Sequence, residues 1–207
     1  MPSILENPFT PKSAIPVKRL FEGEERIVKR KLGKQAQEKI KQTKEQFEKV
    51  KYGDYEILKP QAEFLYKLEK ELLEKSKDWK RELSKEEAKE EVAKRIKKVD
   101  EFGNITFINI CGWGLKNLPS LEKLIYLEKF WCFDNELASL PGLDKLINLK
   151  KLICYNNNLT KIPGLDKLTH LRELDCRKNK FSEQEKDKIE SQVPKNCDVY
   201  MRQYNRP

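Results

Sequence analysis

A single histidine, His170, among 207 residues leaves little for imidazole-dependent acid–base or triad chemistry. Glycine is scarce too. The eight glycines never fall as G-x-x-x-x-G-K or G-x-G-x-x-G, and Gly112-Trp113-Gly114 lacks the strand-and-helix setting of a phosphate loop. Five cysteines, an odd number without any C-x-x-C pair, argue against a disulfide framework and against zinc. No apolar run approaches the roughly 18 residues of a membrane span. The start is broken by Pro2, Pro8, Pro11 and Pro16 and does not resemble a signal peptide. Carboxylates are plentiful but interleaved with lysine, the pattern of solvated helix faces. These absences predict a non-enzymatic protein with no catalytic residue, metal or cofactor, in a reducing, cytoplasmic setting.

What is abundant is charge. Charged residues make up 37 % of the chain and hydrophobic ones 38 %, against about 25 % and about 45–50 % in ordinary globular domains. A core therefore forms only where apolar residues concentrate. A formal net charge of +9 suits acidic partners: nucleic acid, an anionic membrane surface or an acidic protein.

Composition changes near Gly103. Residues 1–23 read as an extended arm, because its prolines lack amide donors and bias their predecessors away from helix. Residues 24–83 read as two charged helices. The first is expected from Glu24 to Lys51, with the stripe Val28, Leu32, Ala36, Ile40, Thr43, Phe47 and Val50, ended by Tyr52-Gly53-Asp54. The second opens at Pro60, with Phe64, Leu65, Leu68, Leu72, Trp79 and Leu83 in its stripe. Ser84-Lys85-Glu86-Glu87 has capping-box spacing. It opens a third helix, within residues 84–103, that carries Ala88, Val92, Ile96 and Val99 on one face.

After Gly103 the chain repeats itself. Leu127, Leu149 and Leu171 stand 22 residues apart, as do Phe130, Leu152 and Leu174. Cys132, Cys154 and Cys176 keep the same step, followed by Asn135, Asn157 and Asn179. A degenerate earlier copy runs through Ile105, Ile108, Ile110 and Leu115, with Trp113 in place of Asn. Each unit reads as a short strand, a turn and an apolar return segment, and a lone unit cannot bury its apolar side. Neighbours must therefore stack. The Asn amides suit turns in which free backbone groups of adjacent coils need partners.

LEKFWCFDNEL, LKKLICYNNNL and LRELDCRKNKF resemble the leucine-rich-repeat family, over about residues 104–200. The resemblance implies an α/β solenoid: a curved parallel sheet of four repeats over 104–181, preceded by the α-helical N-terminal segment. Residues 182–207 read as a closing helix, opened by Ser182-Glu183-Gln184-Glu185, and a strand at Cys197–Met201. Cys132, Cys154 and Cys176 alternate into the core as small hydrophobes, whereas Cys111 and Cys197 fall outside that register. Cys197 beside Asp198 resembles the Cys-plus-acid site of some bacterial leucine-rich-repeat ligases, but no base accompanies it.

The strand residues that alternate with the buried ones line the opposite, concave face. They place Phe107, Lys129, Trp131, Phe133, Lys151, Ile153, Tyr155, Asp175 and Arg177 together as a candidate site for a protein partner. The competing reading has the N-terminal helices folding back to cover that aromatic patch. A second candidate surface is basic: Lys12, Lys18 and Arg19 of the arm with Arg30, Lys34, Lys41 and Lys44 of the first helix. It could hold phosphates as part of a nucleoprotein particle, for instance a ribosome-associated one, or be an ordinary solvated face. A secreted effector is a third reading, with no export signal visible.

Overall fold

The computed structural model describes residues 34–78 and 82–201. The chain divides into two compact units, residues 1–44 and 45–207. In the first, the described residues belong to helix α1 (Lys34–Phe47), which runs on into the second. Its end departs from expectation. The helix stops at Phe47, itself 57 % exposed. Lys49–Tyr52 instead form strand β1, which pairs antiparallel with β2 (Tyr55–Leu58). The physical reason is the local period of two: Val50 and Tyr52 alternate with Lys49 and Lys51, and Tyr52 and Ile57 are fully buried. Gly53 turns the hairpin at φ 58°, and a Cβ there would lie 2.7 Å from the Ala93 Cβ. Only glycine fits that approach.

Helix α2 (Lys59–Ser76) has Pro60 in its first turn, where the missing amide donor costs nothing. Phe64, Leu65, Leu68 and Leu72 are its buried stripe. Trp79 lies outside the described residues, and Leu83 is half-buried beyond the helix end. The Ser84 capping box forms: the Glu87 amide donates to Ser84 Oγ (3.2 Å) and the Ser84 amide to Glu87 Oε2 (2.8 Å). Helix α3 (Lys85–Arg95) follows, with Glu86 in its first turn and Lys94 and Arg95 in its last, matching the macrodipole. Ile96–Val99, expected as its last turn, leave the helix as strand β3. Their β-branched side chains cover the first strand of the repeat sheet, which would otherwise be an open edge.

That sheet has the order β3-β4-β5-β6-β7-β8. Strand β3 is antiparallel to β4 (Ile105–Asn109). From there β5 (Lys129–Trp131), β6 (Lys151–Ile153), β7 (Glu173–Asp175) and β8 (Asp198–Tyr200) are all parallel. The register from β4 to β7 steps by the repeat length, so Ile108, Phe130, Leu152 and Leu174 are successive partners. All four are fully buried, along with Leu127, Leu149, Leu171, Cys132, Cys154 and Cys176. Burying each leucine contributes about 1.5–3 kcal/mol relative to leaving it exposed. On the return side, short 3-10 turns at Leu121–Lys123, Leu143–Lys145 and Leu165–Lys167 deliver a second buried leucine row. Gly164 precedes the last of these at φ 80°, and a Cβ there would sit 2.4 Å from the Asp144 Cβ of the coil before.

The asparagine row joins the coils. Asn157 Oδ1 accepts the Leu137 amide (3.0 Å), while its Nδ2 donates to the carbonyls of Cys132 (2.9 Å) and Cys154 (3.1 Å). Asn135 and Asn179 repeat the pattern one coil to either side. Each side chain thus satisfies backbone groups of its own coil and the preceding one, which a buried turn requires. Immediately before each stands a non-glycine residue in the left-handed region: Asp134, Asn156 and Lys178, at φ 55°, 53° and 51°.

Both ends of the stack are closed. Helix α4 (Glu183–Gln192) starts at Ser182, whose Oγ accepts the Glu185 amide (3.2 Å), and β8 completes the sheet. At the other end Gln61 of α2 accepts the Ile105 amide (2.6 Å) and donates to Asn104 Oδ1 (3.1 Å), a buried link to the first repeat. Tyr52 donates a short hydrogen bond to Glu69. Burial first, then that carboxylate, holds the Tyr52 phenol above its usual range.

Candidate partner-binding face

The sheet turns one face to the leucine core and the other to solvent. On the solvent face the register aligns three rows. The first is Lys98, Phe107, Lys129, Lys151, Glu173 and Asp198. The second is Asn109, Trp131, Ile153, Asp175 and Tyr200. Just beyond the strand ends, Phe133, Tyr155 and Arg177 continue the same 22-residue step.

The expected aromatics do come together, as two pairs. Phe107 and Trp131 meet edge to face, with centroids 4.8 Å apart at 68°. Phe133 and Tyr155 stack at 4.6 Å and 9°. Cations sit against them: Lys129 at 5.9 Å from the Phe107 centroid, Lys151 at 5.8 Å from Trp131, and Arg177 at 5.9 Å from Tyr155 and 5.8 Å from Tyr200. Each is close enough for a cation–π contribution. The rings are half-buried by one another rather than standing free. Trp131 Nε1 is buried with no hydrogen-bond partner, a cost of about 1–3 kcal/mol that packing alone must offset.

Two expected contact residues are corrected. Ile153 and Asp175 are only 8 % and 6 % exposed. Asp175 is covered by Arg177, which donates to it from Nε (2.9 Å) and Nη2 (2.6 Å) in a bidentate pair. Ile153 stands between the larger Trp131 and that capped aspartate. Three residues of the face were missed by sequence reasoning. Lys98 was hidden because β3 read as helix, and Tyr200 and Asp198 because β8 read only as a cap. The alternation in Ile96-Lys97-Lys98-Val99 and Asp198-Val199-Tyr200 was the available signal.

Helices α2 and α3 do not lie over this face. They pack at the N-terminal end of the stack, where Gln61 holds Asn104 and Arg95 stacks 4.8 Å over Trp113 of the first coil and Lys75 approaches Glu136 of the second (3.4 Å). For α2 and α3 these contacts run against the fold-back reading. Of the basic candidates, Lys12, Lys18, Arg19 and Arg30 lie outside the described residues. Lys34, Lys41 and Lys44 are on α1, where Lys41 is exposed.

The cysteines are free thiols, and burial is the main cause that pushes each one up: Cys111 and Cys176 to about 12, Cys197 to about 11, Cys132 and Cys154 well above the usual range. Neighbouring thiols add to the effect, Cys111 on Cys132 and Cys197 on Cys176. Cys111 and Cys197 lie near the ends of the row but outside its register, as expected: the pairing of Asn109 with Trp131 and of Asp175 with Tyr200 sets Ile110 and Met201 level with Cys132 and Cys176. A thiol held near 11 beside Asp198 is a poor nucleophile. Among the described residues no His, Cys, Asp and Glu side chains are grouped to hold a metal, and no helix is long and apolar enough to cross a membrane.

A stack of short parallel repeats, capped at both ends and aromatic on its solvent face, defines a repeat protein of solenoid-like class. Residues 147–186 match the family model described as leucine rich repeats (2 copies). Among solved structures, a leucine-rich-repeat protein of Leptospira interrogans is 31 % identical over 38 % of this chain and 20 % of that one, with a TM-score of 0.35. The functional domain of InlJ from Listeria monocytogenes, described as including a cysteine ladder, is 28 % identical over 46 % of this chain and 20 % of its own, at a TM-score of 0.40. An internalin, InlF, of Listeria monocytogenes is 19 % identical over 48 % and 33 %, at 0.37. This chain spans about a fifth of the length of the first two. No curated protein matches it.

Proposed function

We propose that this protein is a non-enzymatic interaction module that binds a protein partner on the concave, solvent face of its repeat sheet. The observation that carries the reading is the paired aromatic cluster Phe107–Trp131 and Phe133–Tyr155, gathered from three successive coils onto one face. Aromatic clusters flanked by polar residues are the composition of interface centres. Leucine-rich repeats generally serve protein–protein interaction, which agrees with it. Affinity capture from native lysate, with nuclease and without, tests it against the nucleoprotein alternative. The reading expects a protein that survives nuclease and is lost with the Trp131→Ala/Tyr155→Ala variant. Capture abolished by nuclease and falling steeply with salt would instead favour phosphate binding through the basic N-terminal region.

A further inference from the structure

The charges on this face are distributed unequally, and the distribution identifies the chemistry of its partner. Towards the C-terminal strands all but Asp198 are satisfied internally. Lys151 Nζ lies 2.7 Å from Glu173 Oε2, and Arg177 is bidentate to Asp175. Asp134, at the far end of β5, accepts from the Asn156 amide (2.7 Å). Towards the N-terminal strands they are not. Lys98 and Lys129 flank Phe107 directly, one on each neighbouring strand, and both are exposed. Among the described residues neither forms an ion pair. Next to them stands Trp131, whose Nε1 also lacks an acceptor.

Two kinds of polyanion could answer two free ammonium groups around aromatic rings, and ring geometry separates them. Single-stranded nucleic acid stacks bases on open ring faces. Here the Phe133 and Tyr155 faces are turned to one another, and the Phe107 and Trp131 rings are engaged with each other and with Lys129 and Lys151. Two unpaired ammonium groups beside rings already engaged with one another favour the carboxylates of a protein segment over stacked bases.

Building on the interaction-module reading above, we propose that the β3–β5 part of this face docks an acidic segment of a partner protein. That segment carries an aromatic or aliphatic anchor that seats on Phe107 and Trp131 while its carboxylates pair with Lys98 and Lys129. The test selects a random peptide library displayed on phage against the full chain, then titrates the enriched peptides, and oligo-dT beside them. The proteins compared are wild type, Lys98→Glu/Lys129→Glu and Trp131→Ala. The exposed lysines can be reversed without touching the core. The proposal expects peptides rich in Asp, Glu and an apolar anchor. Their binding should fall about tenfold or more on lysine reversal, as opposite charges become like ones, and should weaken with salt. Peptides that need Trp131 but are neutral or basic and ignore the lysine reversal would overturn this proposal while leaving the protein-binding reading intact. No Trp131-dependent peptide at all would overturn both. Oligo-dT binding that is lost in the two variants would overturn it in favour of nucleic acid.

Discussion

Single residues hold the coils together. Asn157 satisfies four backbone groups from a 6 % exposed position. Asn157→Ala strands those groups without water, so unfolding by urea should show a loss of about 1–3 kcal/mol. An unchanged midpoint would refute the structural role of the row. Lys178 sits before the last of these asparagines at φ 51°, a conformation an L side chain adopts at a cost. Lys178→Gly should therefore stabilise by roughly 0.5–1 kcal/mol, with relief of strain outweighing the added chain entropy. The thiols predict a pH dependence. Unfolded cysteine ionises near 9, whereas Cys176 stays protonated to about 12 in the fold. The unfolded state thus releases its proton first as pH rises, and stability is lost between those values. Melting curves at pH 7 to 11 should fall, and Cys176→Val should flatten the fall; an identical slope would exclude the thiols as its source.

The same local rules explain which elements were legible in the sequence. The repeat was legible because its signal is redundant: Leu, Cys and Asn rows each report the same step, so one degenerate copy with Trp113 does not obscure it. The capping box at Ser84 and the hydroxyl cap at Ser182 were legible because free amide donors demand a fixed residue type at a fixed offset. Ser84→Ala should accordingly lower stability by about 1 kcal/mol, checked by thermal melting. Strands β1 and β3 were not legible. Each is four residues long and follows a charged helix. In so short a window Lys49-Val50-Lys51-Tyr52 and Ile96-Lys97-Lys98-Val99 fit a helical stripe as readily as a strand. What decides is tertiary: β1 has β2 to pair with, and β3 has the open edge of β4. The candidate site inherits this split. Its aromatics follow from repeat register, whereas Lys98 depends on β3. The burial of Asp175 depends on a side-chain pairing within its own coil that spacing does not encode.

At the scale of the whole molecule, the first unit and the repeat-bearing one are separately compact. A chain starting at Glu45 should keep the melting temperature of the full protein, and a drop of many degrees would show that the two depend on each other. Helices α2 and α3 bury their apolar stripes beside the first repeats, and the proposed function assigns the aromatic face of the sheet to an external partner. The measurement that tests this most directly is Trp131→Ala, followed for both stability and binding of the captured partner. Because Trp131 is half-buried against Phe107, the substitution should cost less than the about 3–5 kcal/mol of a fully buried tryptophan. Binding should weaken by about 2 kcal/mol or more, as it does when an aromatic hot spot is truncated. A folded Trp131→Ala protein that holds its partner with unchanged affinity would contradict the account.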